Sequence, residues 1–115
     1  DLLADLIIPG ASREERCRFA EIMRRMISPE NIARYRAVLD DIDVTGLLAN
    51  VSAPCLVMHC RGDRMHPVDQ GRILAAGLPN ARFIELESDN HVLPASDPCW
   101  PVAEREMHAF LAAYG

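Results

Sequence analysis

The feature that most constrains this chain is a continuous, largely apolar run near its middle, Cys55–Cys60. The run does not alternate apolar and polar residues, and such continuous runs are typical of strands covered on both faces, as in parallel sheets. A turn at Arg61-Gly62-Asp63 follows, and Pro67–Ala76 then has the pattern of a helix, with Gly77 as its stop. A second strand is predicted at Ala81–Leu86. This order indicates a β-α-β unit of the α/β class, whose crossover should be right-handed.

A sheet of two parallel strands is incomplete by itself, because its outer edge exposes unpaired backbone groups. The chain has 115 residues, which fits one small domain or a piece of a larger one. We therefore expect further strands, either from a missing N-terminal half of the same fold or from another molecule. The second route predicts a homodimer or a higher homo-oligomer. A final helix is predicted over Trp100–Tyr114.

The first part of the chain, residues 1–50, has the pattern of helices. Ser12 and Glu15 form a capping box, in which each side chain binds a free backbone N–H at a helix start. Ser28-Pro29 begins a second helix, since proline suits the first helical turn. Two helices joined this closely predict a helical hairpin. Asp43 can cap a short third helix.

Composition excludes several classes of protein. The net charge is −5, from 12 basic residues, all of them arginine, and 17 acidic ones, which argues against direct contact with nucleic acid. No apolar run approaches the ~20 residues that span a bilayer, and no signal peptide is visible, so we expect no membrane association. The cysteines have neither CxxC nor zinc-finger spacing, which predicts reduced thiols in a cytoplasmic protein and neither metal nor cofactor.

Two candidate catalytic residues follow the two predicted strands, Asp63 after the first and His91 after the second. Because ligands bind at the carboxyl ends of strands in open α/β sheets, both side chains should lie at one rim and within about 3 Å of each other. A histidine can take a proton from a hydroxyl near neutral pH, and a buried carboxylate fixes its tautomer. Asp89 and Asp97 are rival acids near His91, but neither follows the preceding strand.

The sequence pattern of this region resembles the C-terminal segment of α/β-hydrolases, in which a strand, the acid, a helix, a second strand and the histidine follow one another. The residues that carry the resemblance are Ala53-Pro54-Cys55-Leu56-Val57-Met58-His59-Cys60-Arg61-Gly62-Asp63, Pro67, Gly71-Arg72, Leu74-Ala75, Ile84-Glu85-Leu86 and Asn90-His91. The same pattern is also similar to that of hydrolase-like domains fused to bacterial transcriptional regulators. The resemblance implies that Asp63 is the triad acid and His91 the triad base. It further implies a cap-like helical segment at 1–50, followed by a C-terminal α/β-hydrolase segment at 51–115.

Two departures from that family pattern stand out. Cys60 occupies a position that is glycine in many α/β-hydrolases, and its Cβ is expected to alter the acid loop. No Gly-x-Ser-x-Gly elbow is present, and none of the serines has a strand–elbow–helix context; they are Ser12, Ser28, Ser52, Ser88 and Ser96. The nucleophile and the oxyanion hole are therefore expected upstream, and the isolated chain is predicted to be inactive.

The other histidines have simpler interpretations. His59 ends the first strand and is expected to be packed rather than catalytic. His66 lies near Asp63 and could line a pocket, although a solvent-facing loop position is the preferred interpretation. His108 belongs to the surface of the last helix.

Three functions stay open at this point. The first is a serine-type hydrolase of an ester, amide or similar bond, acting on a small-molecule substrate. The second is a non-catalytic domain that senses a small-molecule ligand in a bacterial transcriptional regulator, because fold alone does not decide function. The third is an interaction module that associates through its open sheet edge.

Overall fold

The computed structural model describes residues 2–115. Within that range the elements are α1 (Leu2–Ile7), α2 (Arg13–Met26), α3 (Pro29–Leu39), a 3₁₀ helix (Thr45–Asn50), β1 (Cys55–Cys60), α4 (Val68–Gly77), β2 (Ala81–Leu86) and α5 (Trp100–Tyr114). None of these helices is long and apolar enough to cross a lipid bilayer.

The two strands form the parallel pair that their apolar pattern predicts. Cys55 lies opposite Ala81, and Cys60 lies opposite Leu86. Helix α4 connects the strands and packs against both of them. On the other face of the sheet, Ala103 of α5 packs against Cys60 and Leu86 in a small buried core. The predicted α/β class and the β-α-β unit are therefore confirmed.

The prediction that β1 is covered on both faces is met only in part. Cys60 is its one buried residue, and the other five positions are half-buried. The reason is that one helix on each side cannot cover a sheet whose outer edge has no neighbouring strand within residues 2–115. Pairing of that edge with an upstream strand or a second molecule stays a prediction.

Two of the three predicted helix starts are confirmed by their hydrogen bonds. Ser12 and Glu15 bind each other's backbone N–H in a complete capping box. The Ser28 hydroxyl accepts from the N–H of Asn31 at 3.3 Å. These two caps form because each involves residues three positions apart, so local sequence decides them. The third differs: the N-cap of the 3₁₀ helix is Val44, which makes no side-chain cap bond, and Asp43 before it accepts from the N–H of Thr45 at 2.9 Å.

The predicted helical hairpin is wrong. Helix α2 packs against α1 rather than along α3, and α3 has no buried residue. The apolar side chain Phe19 of α2 packs instead on a buried cluster formed by Ile7, Ile8 and Ala11, which Met65 also contacts. Helix α1 covers only part of the apolar face of α2, since Ile22 and Met26 are exposed, and α3 is left without buried residues.

Candidate active site

The candidate site is built by the two loops that leave the carboxyl ends of β1 and β2. Main-chain hydrogen bonds join these loops beyond the strands, since Arg61 N–H donates to the Leu86 carbonyl at 2.9 Å and Gly62 N–H to the Ser88 carbonyl at 3.0 Å. A Cβ at Gly62 would lie 1.8 Å from Oδ1 of Asp89. A larger residue would displace the exposed Asp89 side chain and would lie 3.1 Å from the Asp89 Cα, so glycine lets the two loops come this close without rearrangement.

Asp63 and His91 meet at this rim of the sheet. Nδ1 of His91 donates to Oδ2 of Asp63 at 2.7 Å, although 28 positions separate the two residues. The other carboxylate oxygen, Oδ1, accepts from the N–H of Met65 at 2.8 Å and of His66 at 3.0 Å. Asp63 is only 7% exposed. The predicted placement and distance are thus confirmed, while the catalytic roles stay predictions.

The surroundings of Asp63 favour its charged form. Burial raises the pKa of this carboxyl, but hydrogen bonds from His91 and from the N–H groups of His66 and Met65 outweigh burial, so the pKa lies below its ordinary value of 3.8. A carboxylate can only accept, so Nδ1 of His91 carries a proton, and in the neutral ring Nε2 then carries none. An unprotonated Nε2 is the atom that can act as a base toward a hydroxyl.

Because the pKa of Asp63 is lowered in the folded protein, the free energy of unfolding should depend on pH in the acid range. The folded-state pKa lies below the ordinary 3.8, so the stabilisation is complete at higher pH and is lost as pH falls through the folded-state value. We expect the free energy of unfolding to fall as pH drops from about 6 to about 3, and to fall less steeply in Asp63→Asn. Urea unfolding across this range measures both slopes. Equal slopes in the two proteins would contradict the expectation.

A buried polar cluster holds the loop that carries His91. Oδ2 of Asp97 accepts from the Ser88 hydroxyl and from Nδ2 of Asn90, both at 2.6 Å, and its Oδ1 accepts from the N–H of Cys99 at 2.7 Å. Burial raises the pKa of Asp97, but the hydrogen bonds from these three donors lower it by more. The pKa of Asp97, like that of Asp63, therefore lies below its ordinary value. The rival acid Asp97 is therefore a structural anchor of the loop, and the partner of His91 is Asp63.

Asn90 is the centre of that cluster. Its side chain is 2% exposed, and its Oδ1 accepts from the N–H of Gly10 at 2.8 Å while its Nδ2 binds Asp97. Asn90→Ala is expected to lower the free energy of unfolding by about 2–3 kcal/mol, because it leaves buried polar groups without partners. Urea denaturation measures this. The matched control is Asn80→Ala, which removes one exposed bond to the Ser52 carbonyl and should cost less than about 1 kcal/mol.

The first helical segment also supports the histidine, which the sequence did not indicate. The Ile7 carbonyl accepts from the N–H of His91 at 2.7 Å and from the N–H of Val92 at 3.3 Å. Ser96, further along the same loop, donates its hydroxyl to Glu15 of α2. The sequence feature related to this support is Pro9-Gly10, which ends α1 and leaves the Ile7 carbonyl facing the loop that carries His91. The segment before β1 is therefore part of the frame that positions His91.

A cavity of about 320 Å³ adjoins the pair on the α5 face of the sheet. His91 and Asp63 border it, and most of its lining is apolar, from Met58, Leu86, Val92, Leu93, Trp100, Ala103 and Met107. Cys60 also lines it, but burial raises the pKa of this thiol, which disfavours the nucleophilic thiolate. The turn forms with Cys60 in place, since its side chain faces the α5 core rather than the acid loop.

Within residues 2–115 no serine binds His91, and no group of three or more histidine, cysteine or acidic side chains is arranged to hold a metal ion. Four serines make structural hydrogen bonds: Ser12 and Ser28 at helix starts, Ser88 to Asp97 and Ser96 to Glu15. Among the described residues, a carboxylate and an imidazole thus meet with no serine hydroxyl bound to the imidazole.

Comparison with known proteins gives two relatives. A Pseudomonas syringae pv. syringae (strain B728a) protein named "Putative carbamate hydrolase RutD" is 34% identical over 83 residues, covering 72% of this chain and 31% of the relative. Its counterpart from Pseudomonas savastanoi pv. phaseolicola (strain 1448A / Race 6) is 36% identical over 69 residues, covering 60% of this chain and 27% of the relative. No protein-family model and no solved structure matches the chain. The chain thus spans about a third of the length of bacterial proteins that are named as hydrolases.

Proposed function

We propose that this chain is the C-terminal segment of a serine-type α/β hydrolase, in which His91 is the general base and Asp63 the acid that orients it. The observation that carries the proposal is the 2.7 Å contact between Nδ1 of His91 and the buried Asp63 carboxylate, at the carboxyl ends of two parallel strands. The similarity to two proteins named as hydrolases supports it independently. The helices of residues 1–50 would then belong to a cap.

The mechanism assigns one proton movement to this segment. Nε2 of His91 takes the proton from a serine hydroxyl supplied upstream, as that oxygen forms a bond to the substrate's acyl carbon. The imidazolium then gives the proton to the leaving group, whose bond to the acyl carbon breaks. Water repeats the sequence on the acyl-enzyme and releases the acid. Asp63 stays ionised throughout and stabilises the positive charge on His91.

The proposed substrate is a small molecule with an ester, amide or carbamate bond. These bonds share an acyl carbon that a hydroxyl can attack, and carbamate appears in the names of both relatives. No observation favours the regulatory ligand-sensing alternative, which stays an untested prediction, as do self-association and a cytoplasmic location.

The test is to measure substrate hydrolysis by the complete protein, which includes the proposed upstream segment with its serine. Incubated with p-nitrophenyl acetate and with an aryl carbamate, it should release nitrophenol or the parent phenol, and a fluorophosphonate probe should label one upstream serine. A complete protein that the probe does not label and that cleaves neither substrate would contradict the proposal and favour the ligand-sensing alternative.

The isolated 115-residue chain should not hydrolyse p-nitrophenyl acetate above background. Without its nucleophile a triad enzyme loses on the order of 10⁶ in turnover, so the Asp63–His91 pair alone supplies no measurable covalent catalysis. Release of p-nitrophenol followed spectrophotometrically, with and without the chain, measures this. A burst that disappears in His91→Ala would place the nucleophile within this chain and overturn the upstream assignment.

A further inference from the structure

A second histidine, His59, contacts the turn that carries Asp63. Its Nε2 lies 2.8 Å from the carbonyl oxygen of His66 and 3.4 Å from Oδ2 of Asp63. Its side chain is only 15% exposed. His59 is thus held at the end of β1 with one ring nitrogen aimed into the turn from Asp63 to His66.

The partner of His59 fixes its tautomer. A carbonyl oxygen only accepts hydrogen bonds, so Nε2 of His59 must carry the proton that it donates to His66. His91 has the opposite arrangement, because its Nδ1 donates to Asp63. Two histidines of opposite tautomer therefore face one carboxylate.

The bond to His66 reaches the catalytic pair by two routes. The N–H of His66 donates to Oδ1 of Asp63, so a shift of this residue moves the carboxylate. The His66 ring also lies against the His91 ring, with centroids 5.1 Å apart and planes tilted by 51°. The single contact from His59 to His66 therefore restrains both the acid and one side of the base.

Gly71 of α4 explains how the His59 ring is held in place. A Cβ at this position would lie 2.6 Å from Nδ1 of His59 and 3.0 Å from its Cβ and Cγ. The helix backbone therefore packs directly on the ring, which a side chain at position 71 would displace. Glycine in a helix interior is otherwise unfavourable, so the close contact accounts for its presence.

We infer that His59 is a positioning residue of the site: its Nε2–H clamps the turn from Asp63 to His66 and so holds the Asp63 carboxylate against Nδ1 of His91. This inference rests on the proposed function for its catalytic meaning, but its geometry is independent of turnover. His59 itself transfers no proton in the reaction.

The test is the tautomer of each histidine, measured by long-range ¹H–¹⁵N NMR on the ¹⁵N-labelled 115-residue chain, with surface His108 as internal reference. In the wild type, His59 should be protonated at Nε2 and His91 at Nδ1. In His59→Leu, His91 should become a mixture of both tautomers, and its Nδ1–H resonance should broaden through faster exchange with water. His59→Gln keeps an N–H donor near the position of Nε2 and should restore the wild-type signature.

Gly71→Ala tests the same idea without changing His59. The added Cβ would meet the His59 ring, so a role for Gly71 in packing alone predicts a change in stability with an unaltered His91. The inference predicts that His91 loses its single tautomer, as in His59→Leu. Gly46→Ala is the matched control, because nothing lies within 4 Å of a Cβ at that position.

Three outcomes would overturn the inference: wild-type His59 protonated at Nδ1, a folded His59→Leu with an unchanged His91 signature, or a Gly71→Ala with an unchanged His91. The wild-type measurement decides even where a variant does not fold. In the complete protein, His59→Leu should lower kcat by up to about 10²-fold with little change in KM, since small displacements of reacting groups have effects of that size. If the complete protein is inactive while His59 and His91 have the expected tautomers, the proposed function is contradicted. The positioning role inferred for His59 is then still supported.

Discussion

Replacing His91 by alanine in the complete protein is expected to lower kcat by about 10⁶-fold, while KM changes little. The reason is that Nε2 of His91 is the unprotonated nitrogen of a ring whose Nδ1–H is bound to Asp63 at 2.7 Å. In the proposed mechanism, loss of that ring leaves the upstream serine without a base to accept its proton and the leaving group without an acid. Steady-state kinetics on p-nitrophenyl acetate measure both constants.

The control for this variant is His108→Ala, which removes an exposed histidine of α5. It should keep kcat within about twofold of the wild type, since surface substitutions away from a site have small effects. Circular dichroism of both variants checks that the fold is retained. A folded His91→Ala with kcat within about tenfold of the wild type would show that another group is the base.

Replacing Asp63 by asparagine is expected to lower kcat by about 10⁴-fold, through the tautomer of His91. The N–H groups of Met65 and His66 bind Oδ1 of Asp63, so the carbonyl oxygen of asparagine should occupy that position. Its NH₂ group then faces Nδ1 of His91 and donates to it. The proton of His91 moves to Nε2, and the base is lost although the geometry is retained.

This mechanism for Asp63→Asn has its own signature. The long-range ¹H–¹⁵N spectrum of the variant should show His91 protonated at Nε2, whereas the wild type shows Nδ1. Asp69→Asn is the matched control, because it removes an exposed carboxylate that pairs with Arg72 and should leave both the His91 tautomer and kcat unchanged. Loss of activity in Asp63→Asn with His91 still protonated at Nδ1 would contradict the tautomer explanation.

The sequence by itself determined the elements and the meeting of Asp63 with His91. Ser12 and Ser28 cap helices through bonds that span three positions, and the segments Cys55–Cys60 and Ala81–Leu86 form the two strands that their patterns predict. The β-α-β order then makes the strands parallel, which places the residues after both strands at one rim. Topology alone is sufficient to bring the acid and the histidine together.

The tertiary structure alone decided which groups support that pair. Asp97 and Asp63 are both acids near His91 in the sequence, and it is the bonds from Ser88, Asn90 and Cys99 that hold Asp97 in the loop, with Asn90 itself fixed by Gly10. The same holds for the Ile7 carbonyl on His91, the exposure of α3 and the contact of His59 with the acid turn. These contacts join segments far apart in the chain or depend on the path of a turn. No local periodicity or capping pattern encodes them, because they are selected by how whole elements pack.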